Sequence, residues 1–432
     1  MGRNKIVQNL KVYLGRNKIG ILKRKTDGST EFRYDNEWIK NGYAISISLP
    51  LADRVFIGEK AYFYFDNLLP DNKRILEAVA QKFEAPSINA FDILSVIGRE
   101  CVGALSFFDE NEEPVFLEKM NVRLIGEAEI AKRLRGLAGD NPLGMDEEGD
   151  FRISIAGAQE KMALLYRKGK WWEPRGATPT SHILKKSMGT LFGGSSETPI
   201  DFTTSVDNEW ICLKLAEQFQ IDVAKAEIVQ FEDQRVLSVE RFDRQWKDNL
   251  LIRIPQEDFC QATGTSPVLK YEKKGGPSIE RMMSILASSA NANTDKKMFF
   301  KTLLFNDLIY NTDSHAKNFS LFDLRVGYTL TPMYDLLSAH FFKSTHQTRY
   351  ENLKSSLQVN EKEKFSEITL ADWQAEAIKG GLSKEIFEEI ANEIHLSVKN
   401  LALNEMQRPG SLDLKQLEQI FEGIEQRARK LL

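Results

Sequence analysis

Residues 311–318 read Asn-Thr-Asp-Ser-His-Ala-Lys-Asn, and this stretch carries the most informative spacing in the chain. Asp313 and Asn318 stand with four residues between them, and a further carboxylate follows at Asp335. A loop carboxylate can accept or orient a hydroxyl proton, whereas amide and carboxylate oxygens suit a magnesium ion. Protein kinases use the same Asp-to-Asn spacing in their catalytic loop, with a later Asp on the metal. The stretch therefore indicates phosphoryl transfer, although an ordinary polar turn would also explain it.

The composition is that of an ordinary globular protein. Its 432 residues are 42% hydrophobic and 28% charged, enough for two or three domains. The net charge of -4 gives no global nucleic-acid signal, which leaves a local basic patch or a DNA-binding partner open. Cys101, Cys212 and Cys260 are far apart and odd in number, so we expect a reducing compartment rather than disulfides or structural zinc. Since no apolar run of about 18 residues occurs, we predict a cytoplasmic protein without membrane contact.

The hydrophobic pattern divides the chain into two parts. The first part predicts strands at 10–14, 19–22 and 44–49, followed by helices at 71–83 and 90–107. A polar, glycine-containing stretch at 139–150 comes next, and such a stretch is typical of a domain boundary. We therefore predict a β-rich N-terminal domain at 1–149 and a second domain at 150–432.

The second part begins with strands and ends with helices. Its pattern predicts strands at 181–185 and 236–240 and helices at 205–219, 296–310 and 412–432. Mixed segments followed by mostly helical ones are expected for a two-lobed phosphotransferase. The predicted fold class is thus α+β, a two-lobed protein-kinase-like fold with a β-rich N-terminal region and a mostly α-helical C-terminal lobe.

Three further segments could serve phosphoryl transfer, and each also has a plainer explanation. Residues 154–161 (Ser-Ile-Ala-Gly-Ala-Gln-Glu-Lys) could bring backbone N–H groups to phosphate oxygens, or they could form a simple turn. Lys185, on a predicted strand before a helix containing Glu209, could bind phosphate, or both residues could be solvated surface charges. Residues 240–243 (Glu-Arg-Phe-Asp) end an apolar strand where a kinase hinge would meet adenine, or they are a charged strand end.

Taken in order along the chain, these segments resemble the HipA family of bacterial serine/threonine kinase toxins. The resemblance rests on blocks that are weak singly but specific in this order: Phe65–Asp71, Ser154–Lys161, His182–Lys185, Val239–Asp243, Gln256–Gln261, Gly275–Pro277, Thr312–Asn318 and Tyr334–Asp335. These blocks extend over most of the chain. Met162 and Ser314 depart from the family pattern, but neither has a required chemical role.

The resemblance implies a role for each matched residue. Asp313 corresponds to the catalytic aspartate, and Asn318 and Asp335 correspond to magnesium ligands that also contact the nucleotide. Ser154 matches the serine that relatives autophosphorylate, which ejects the phosphate loop and silences the kinase. The other implied nucleotide contacts are Ala156, Gly157, Ala158, Gln159, Glu160, Lys161 and Lys185 at the phosphates, Glu240, Arg241 and Phe242 at the adenine end, and His315, Ala316, Lys317 and Tyr334.

The resemblance further implies an ATP- and Mg2+-dependent kinase acting as the toxin of a toxin–antitoxin pair. The expected partners are a small helix-turn-helix antitoxin of the HipB type and operator DNA, reached mainly through that antitoxin. An aminoacyl-tRNA synthetase is one expected protein substrate. Two other functions stay open: a catalytically silent scaffold that co-represses transcription with the antitoxin, and a small-molecule phosphotransferase. Magnesium-dependent ATP binding would separate the scaffold from the enzymes.

Overall fold

The computed structural model describes residues 8–114, 120–137, 143, 153–157, 159–191, 200–341, 350–401 and 409–432. The strands are β1 (Asn9–Leu14), β2 (Asn17–Arg24), β3 (Thr30–Tyr34), β4 (Val55–Ile57), β5 (Leu105–Asp109), β6 (Val122–Leu124), β7 (Lys161–Arg167), β8 (Lys170–Pro174), β9 (His182–Lys186), β10 (Gly189–Leu191), β11 (Ile200–Phe202), β12 (Ala226–Phe231), β13 (Gln234–Glu240), β14 (Arg244–Lys247), β15 (Leu250–Arg253), β16 (Gln256–Asp258), β17 (Ser320–Leu324), β18 (Gly327–Leu330), β19 (Lys354–Val359) and β20 (Lys362–Lys364). The helices are α1 (Asn36–Asn41), α2 (Glu59–Asp66), α3 (Lys73–Lys82), α4 (Ala90–Ile97), α5 (Glu127–Arg135), α6 (Ser205–Gln218), α7 (Phe259–Thr263), α8 (Ile279–Leu286), α9 (Ala292–Leu308), α10 (Leu370–Lys379), α11 (Lys384–Lys399) and α12 (Leu414–Leu431).

Two compact units account for these elements. The first unit takes residues 1–186, 230–268 and 322–325, and the second takes 187–229, 269–321 and 326–432. Each unit thus draws on stretches that are far apart in the sequence. The predicted domain boundary between residues 149 and 150 lies outside the described residues and stays a prediction.

An antiparallel five-stranded sheet in the order β4-β3-β2-β1-β5 forms part of the first unit. Alternation of apolar residues decides which face is buried, since Leu10 lies opposite Leu22 and Leu22 lies opposite Phe32. All three side chains are fully buried. Phe65 of α2 and Phe107 of β5 belong to the same core, and their rings meet edge-on with centroids 5.8 Å apart.

A second antiparallel sheet of the first unit contains β13, β9, β7, β8 and β6 in this order. Strand β9 lies between β7 and β13, so that Lys185 is paired with Lys161 on one side and with Leu237 on the other. The strands predicted at 181–185 and 236–240 are confirmed as β9 and β13. This sheet therefore brings together two lysines that the sequence places 24 residues apart.

Two elements predicted for the first unit are wrong. Residues 44–49 form no strand, because side chains rather than a neighbouring strand bind their backbone. Tyr34 Oη accepts from Ile45 N, Tyr64 Oη donates to Ile45 O, and Ile47 N donates to Glu257 Oε1, each at 3.0 Å.

The helix predicted for 90–107 ends at Ile97, where the N–H of Gly98 donates to Leu94 O and caps the helix, and strand β5 follows. Apolar runs alone do not separate a helix from a strand.

The second unit is mostly helical, as predicted. Helices α6, α9 and α12 confirm the helices expected at 205–219, 296–310 and 412–432. The ring of Phe300 on α9 meets Trp373 and Phe387 edge-on. Asp307 on the same helix accepts hydrogen bonds from Arg427 Nε and Trp373 Nε1, both at 2.6 Å. Helix α9 is thereby held from several sides, which makes it a rigid support for the loop that follows it.

All three cysteines lie in the protein interior as free thiols. Cys101, Cys212 and Cys260 are each 0% exposed. Burial raises the pKa of the Cys101 thiol to about 12, and burial also raises the pKa of the Cys212 thiol. Thiols in such surroundings are unreactive.

Among the described helices, none combines the length and apolar composition needed to cross a membrane.

Candidate active site

The loop at 311–318 begins where helix α9 ends, and Asn311 fixes its entry. The N–H of Asn311 donates to Asn306 O at 2.8 Å, and its side-chain amide donates to Asn306 Oδ1 at 3.1 Å. The N–H of Asp313 in turn donates to Asn311 Oδ1 at 3.0 Å. The loop is thus tied to a rigid helix, and such support is what accurate placement of catalytic groups requires.

Asp313 presents a half-exposed carboxylate, with 48% of its side chain accessible. Tyr271 Oη donates a hydrogen bond to Asp313 Oδ1 at 2.6 Å, and His315 Nε2 lies 3.6 Å from the same oxygen. Asn318 Nδ2 donates to Asp313 O at 2.7 Å, which closes the loop, and magnesium binding by Asn318 stays a prediction. The predicted Asp and Asn therefore share one short, hydrogen-bonded turn.

Hydrogen bonds fix the backbone two residues before Asp335. Met333 and Val223 form a parallel bridge, in which Met333 N donates to Asp222 O at 2.8 Å. Ala224 N donates back to Met333 O, also at 2.8 Å. Two residues later Asp335 has φ of +54°, a left-handed backbone that non-glycine residues rarely adopt. Strain of this kind persists where the surroundings fix a functional residue.

The structure places Tyr334 against the end of the loop. Tyr334 Oη donates to Lys317 O at 2.9 Å and lies 2.6 Å from Ser320 Oγ. His315, Ala316 and Lys317 are all buried, so their side chains help to shape the loop. Nucleotide contact by Tyr334 and these three residues stays a prediction.

Ser154 lies in the first unit, in a segment that two other parts of that unit hold. Its side chain is 0% exposed, and its Oγ donates to Leu68 O at 2.7 Å. Its N–H donates to Glu100 O at 2.8 Å, and Asp71 N donates to Gly157 O at 3.2 Å. Leu68 and Asp71 belong to the block Phe65–Asp71, so this block and the segment around Ser154 form one structure.

Gly157 gives Lys161 room to fold back over the segment. Gly157 has φ of +103°, and a Cβ there would stand 2.5 Å from Lys161 Nζ, which donates to Ala156 O at 2.8 Å. Because Lys161 and Lys185 are directly paired across β7 and β9, their side chains leave the same face of the sheet. Both are only 6% exposed. Lysine ammonium groups are of the kind that bind phosphate oxygens, and nucleotide contact by these two residues stays a prediction.

Arg241 belongs to a buried charge network of the first unit. Its Nε donates to Asp243 Oδ1 at 3.0 Å, and its Nη1 lies 3.3 Å from Glu100 Oε1. Burial disfavours ionisation of Asp243, but Arg241 and Arg244 together outweigh it and lower the pKa of the Asp243 carboxyl to about 2. The side chain of Arg241 is therefore committed to the protein interior. Contact of Arg241 with adenine stays a prediction and would have to use its backbone.

The remaining predicted contacts are spread over the first unit. Gln159 Nε2 donates to the backbone oxygen of Lys186, and Lys186 N donates to Glu160 O at 3.3 Å. Glu240 is exposed, whereas the partly buried ring of Phe242 meets Phe322 edge-on. Ala158 lies outside the described residues.

Tyr271 is a residue of this site that the sequence prediction missed. It stands 42 positions before Asp313, and no spacing rule connects the two. Its only sequence signal is its place shortly before the block Gly275–Pro277.

Two family models match the chain. The HipA N-terminal domain matches residues 10–108, and the HipA-like C-terminal domain matches residues 153–401, more than half of the chain. Fold and loop together thus define a protein of the HipA class. The chain belongs to the HipA family.

Similar proteins span nearly the whole chain. Y4mE of Sinorhizobium fredii, named as a kinase candidate, is 31% identical over 385 residues, 87% of this chain and 86% of its own length. The serine/threonine-protein kinase toxin HipA of Shewanella oneidensis is 28% identical over 390 residues, 86% of this chain and 83% of its own length. The solved complex of HipA, HipB and operator DNA from Shewanella oneidensis MR-1 aligns with a TM-score of 0.78 at 24% identity, covering 98% of this chain and 97% of that one.

These matches confirm two predictions. The family is HipA, and the fold is the predicted α+β, kinase-like fold. The names of the relatives also support kinase activity for the chain.

Proposed function

We propose that this chain is an ATP- and magnesium-dependent serine/threonine kinase in which Asp313 accepts or orients the proton of the acceptor hydroxyl. The observation that carries the proposal is the closed loop at 311–318. In this loop the Asp313 carboxylate is half exposed, Tyr271 holds one of its oxygens, and Asn318 closes the turn. A kinase needs such a carboxylate within hydrogen-bond reach of its acceptor.

The first unit would bind the triphosphate of ATP. Support comes from the paired, buried lysines Lys161 and Lys185 and from the small residues of segment 156–158 in the sequence. Small residues let backbone N–H groups approach phosphate oxygens, and the lysines add positive charge. Gly157 is required there by its backbone, since its φ of +103° lies where L side chains are rarely found.

Asn318 and Asp335 of the second unit would hold the magnesium ion. Both offer the hard oxygen ligands that magnesium prefers. Among the described residues, no group of three or more His, Cys, Asp or Glu is arranged to hold a metal ion. A magnesium site fits this, because magnesium takes one or two protein oxygens and fills its shell with water and phosphate oxygens. When bound, the ion would neutralise negative charge on the triphosphate.

Replacement of Asp313 tests the catalytic assignment. Asp313→Ala and Asp313→Asn should each lower phosphate incorporation from γ-labelled ATP by about 10²- to 10⁴-fold, since the group that takes the proton is lost. Incorporation by the unaltered chain should need magnesium and vanish with a chelator. Both variants should also lose any growth arrest seen on expression of the unaltered chain.

The matched control for this test is Asp53→Asn, which neutralises a carboxylate that is 66% exposed and lies in the first unit. It should transfer phosphate like the unaltered chain. Full activity of Asp313→Ala would contradict the assignment.

Ser154 would be the autophosphorylation site that silences the kinase. Its hydroxyl is fully buried and donates to Leu68 O, so a phosphate with two negative charges does not fit the present arrangement. Modification would therefore require the segment 153–157 to leave its place and would prevent its return. This would remove Gly157 and its neighbours from the phosphates.

The kinase would act as the toxin of a pair with a HipB-like helix-turn-helix antitoxin, and it would reach operator DNA through that partner. The similar fold seen in a HipA, HipB and operator DNA complex supports this proposal.

An aminoacyl-tRNA synthetase would be the substrate, with arrest of translation as the outcome. Buried free thiols agree with a cytoplasmic location. Co-purification with the helix-turn-helix product of an adjacent gene, and labelling of purified synthetases, would test the two partners.

A further inference from the structure

Tyr271 contacts the proposed catalytic carboxylate directly. Its hydroxyl donates to Asp313 Oδ1 at 2.6 Å, and its ring meets the ring of His315 edge-on with centroids 5.1 Å apart. Both residues of the loop lie in the second unit, as Tyr271 does. The tyrosine is thus part of the surroundings of Asp313 although it comes from a different stretch of the chain.

The backbone around Tyr271 is built to hold this side chain in place. Lys274 N and Gly276 N both donate to Tyr271 O, at 2.9 Å and 3.0 Å. Gly276 has no room for a side chain, since a Cβ there would lie 2.4 Å from Leu269 O. The turn therefore closes tightly on the tyrosine and needs glycine at 276.

A second link ties this turn to the loop of Asp313. Ala316 N donates to Lys270 O, the residue before Tyr271, at 3.3 Å. Glu272, the residue after it, accepts a hydrogen bond from Gln358 N at 2.7 Å. Tyr271 is therefore fixed on both sides, and its hydroxyl has a defined direction relative to Asp313.

The consequence concerns which oxygen of Asp313 takes part in the reaction. Oδ1 accepts from Tyr271 and lies 3.6 Å from His315 Nε2. Within the described part of the chain, no hydrogen bond is made to Oδ2. With the side chain 48% exposed, Oδ2 is the oxygen that an incoming hydroxyl can reach.

We infer that Tyr271 is a positioning residue of the kinase reaction, which holds Asp313 so that Oδ2 meets the acceptor hydroxyl. In that step the hydroxyl proton passes to Oδ2 and the hydroxyl oxygen forms a bond to the γ-phosphorus. The bond between the γ-phosphorus and the bridging oxygen breaks, and its electron pair leaves with ADP. The inference rests on the proposed function.

Tyr271→Phe tests it, because phenylalanine keeps the ring and its contact with His315 but removes the hydroxyl. The maximal rate of phosphate incorporation from γ-labelled Mg·ATP should fall about 10- to 100-fold. The ATP concentration for half-maximal rate should change less than about twofold, since Tyr271 holds the base rather than the nucleotide. The control is Tyr328→Phe, which removes a phenolic hydrogen bond to Ile285 O at 2.8 Å, and it should keep the normal rate.

The outcomes separate the two proposals. An active unaltered chain with Tyr271→Phe at the same maximal rate would overturn the positioning role and leave the kinase proposal intact. An equal loss in Tyr328→Phe, or a melting temperature lowered only in Tyr271→Phe, would also overturn it, since the effect would then be structural. No transfer by the unaltered chain at all would overturn the proposed function and this inference with it.

Discussion

Glu257 and Asp323 are two acidic residues that the first unit buries side by side. Glu257 is 0% exposed and Asp323 is 7% exposed. Burial raises the pKa of the Glu257 carboxyl, although hydrogen bonds from Ser46 Oγ and Ile47 N oppose the rise. Burial and then the neighbouring Glu257 raise the pKa of Asp323. The pair therefore keeps a proton in the folded chain at pH values where both carboxyls of the unfolded chain have lost theirs.

This pair makes stability depend on pH with a definite sign. Because the folded pKa values are raised, the stabilising proton is fully present below the unfolded pKa values of about 4 and is lost as pH rises through the folded values. In Asp323→Asn the amide donates to Glu257 without a titrating proton. We expect the variant to be less sensitive to pH between about 5 and 8, where one retained proton is worth about 1.4 kcal/mol per pH unit.

Urea unfolding at both ends of this pH range measures the effect. Asp323→Asn should gain stability relative to the unaltered chain at the alkaline end, while Asp53→Asn should follow the unaltered chain throughout. Parallel pH curves for Asp323→Asn and the unaltered chain would mean that the pair holds no proton.

The residues of the site differ in how far the sequence predicted them. Asp313 and Asn318 could be predicted from the sequence because both lie in one loop and their spacing is local. Tyr271 could not be predicted, because its contact with Asp313 depends on how distant segments pack. Arg241 was singled out from the sequence, but its place in the sequence does not predict that its side chain is buried against Glu100 and Asp243.

At the scale of elements, helix α12 packs on His340 at a point that allows only glycine. A Cβ at Gly423 would lie 2.2 Å from the His340 ring. The ring cannot move away freely, because its Nε2 is 2.8 Å from Leu308 O and its Nδ1 is 3.0 Å from Tyr350 Oη. The approach of α12 to the end of α9 therefore depends on the absence of a side chain.

Gly423→Ala should destabilise the protein by about 1–3 kcal/mol, the usual cost of overpacking, even though alanine favours helices. Gly410→Ala is the matched control, since a Cβ there meets nothing within 4 Å. Thermal melting of both variants measures the difference. A melting temperature for Gly423→Ala at or above that of the unaltered chain would show that α12 can shift without cost.

The elements show why pattern reading succeeded in some places and failed in others. Helices α6, α9 and α12 are long and periodic, so their sequences specify them. Residues 44–49 alternate like a strand, yet Tyr34, Tyr64 and Glu257 bind their backbone. Those three partners come from separate parts of the chain, which no local pattern contains.

At the scale of the whole molecule, the chain would be both enzyme and substrate. Incubation with Mg·ATP should place phosphate on the peptide containing Ser154, and Ser154→Ala should lack it. Because the serine is 0% exposed, modified chains should also be cut faster by proteases at segment 153–157, which would then be displaced. Mass spectrometry and limited proteolysis measure the two effects.

Ser87→Ala serves as the control, since the Ser87 hydroxyl lies in the first unit and donates to Asp92 rather than to the segment 153–157. It should be phosphorylated on Ser154 and cut like the unaltered chain. Phosphate on Ser154 without faster cutting would contradict displacement, and consistent absence of the phosphopeptide would contradict modification.

The interior position of the three cysteines makes the chain well suited to site-specific labelling. Cys101, Cys212 and Cys260 are each 0% exposed, so maleimide reagents should leave them unmodified. Cysteines introduced at Asp53 in the first unit and Arg429 in the second, with 66% and 78% of the side chain accessible, would then carry a dye pair or two spin labels without removal of the native thiols. The spectra of each label, recorded with and without nucleotide, would report on the surroundings of that label in solution.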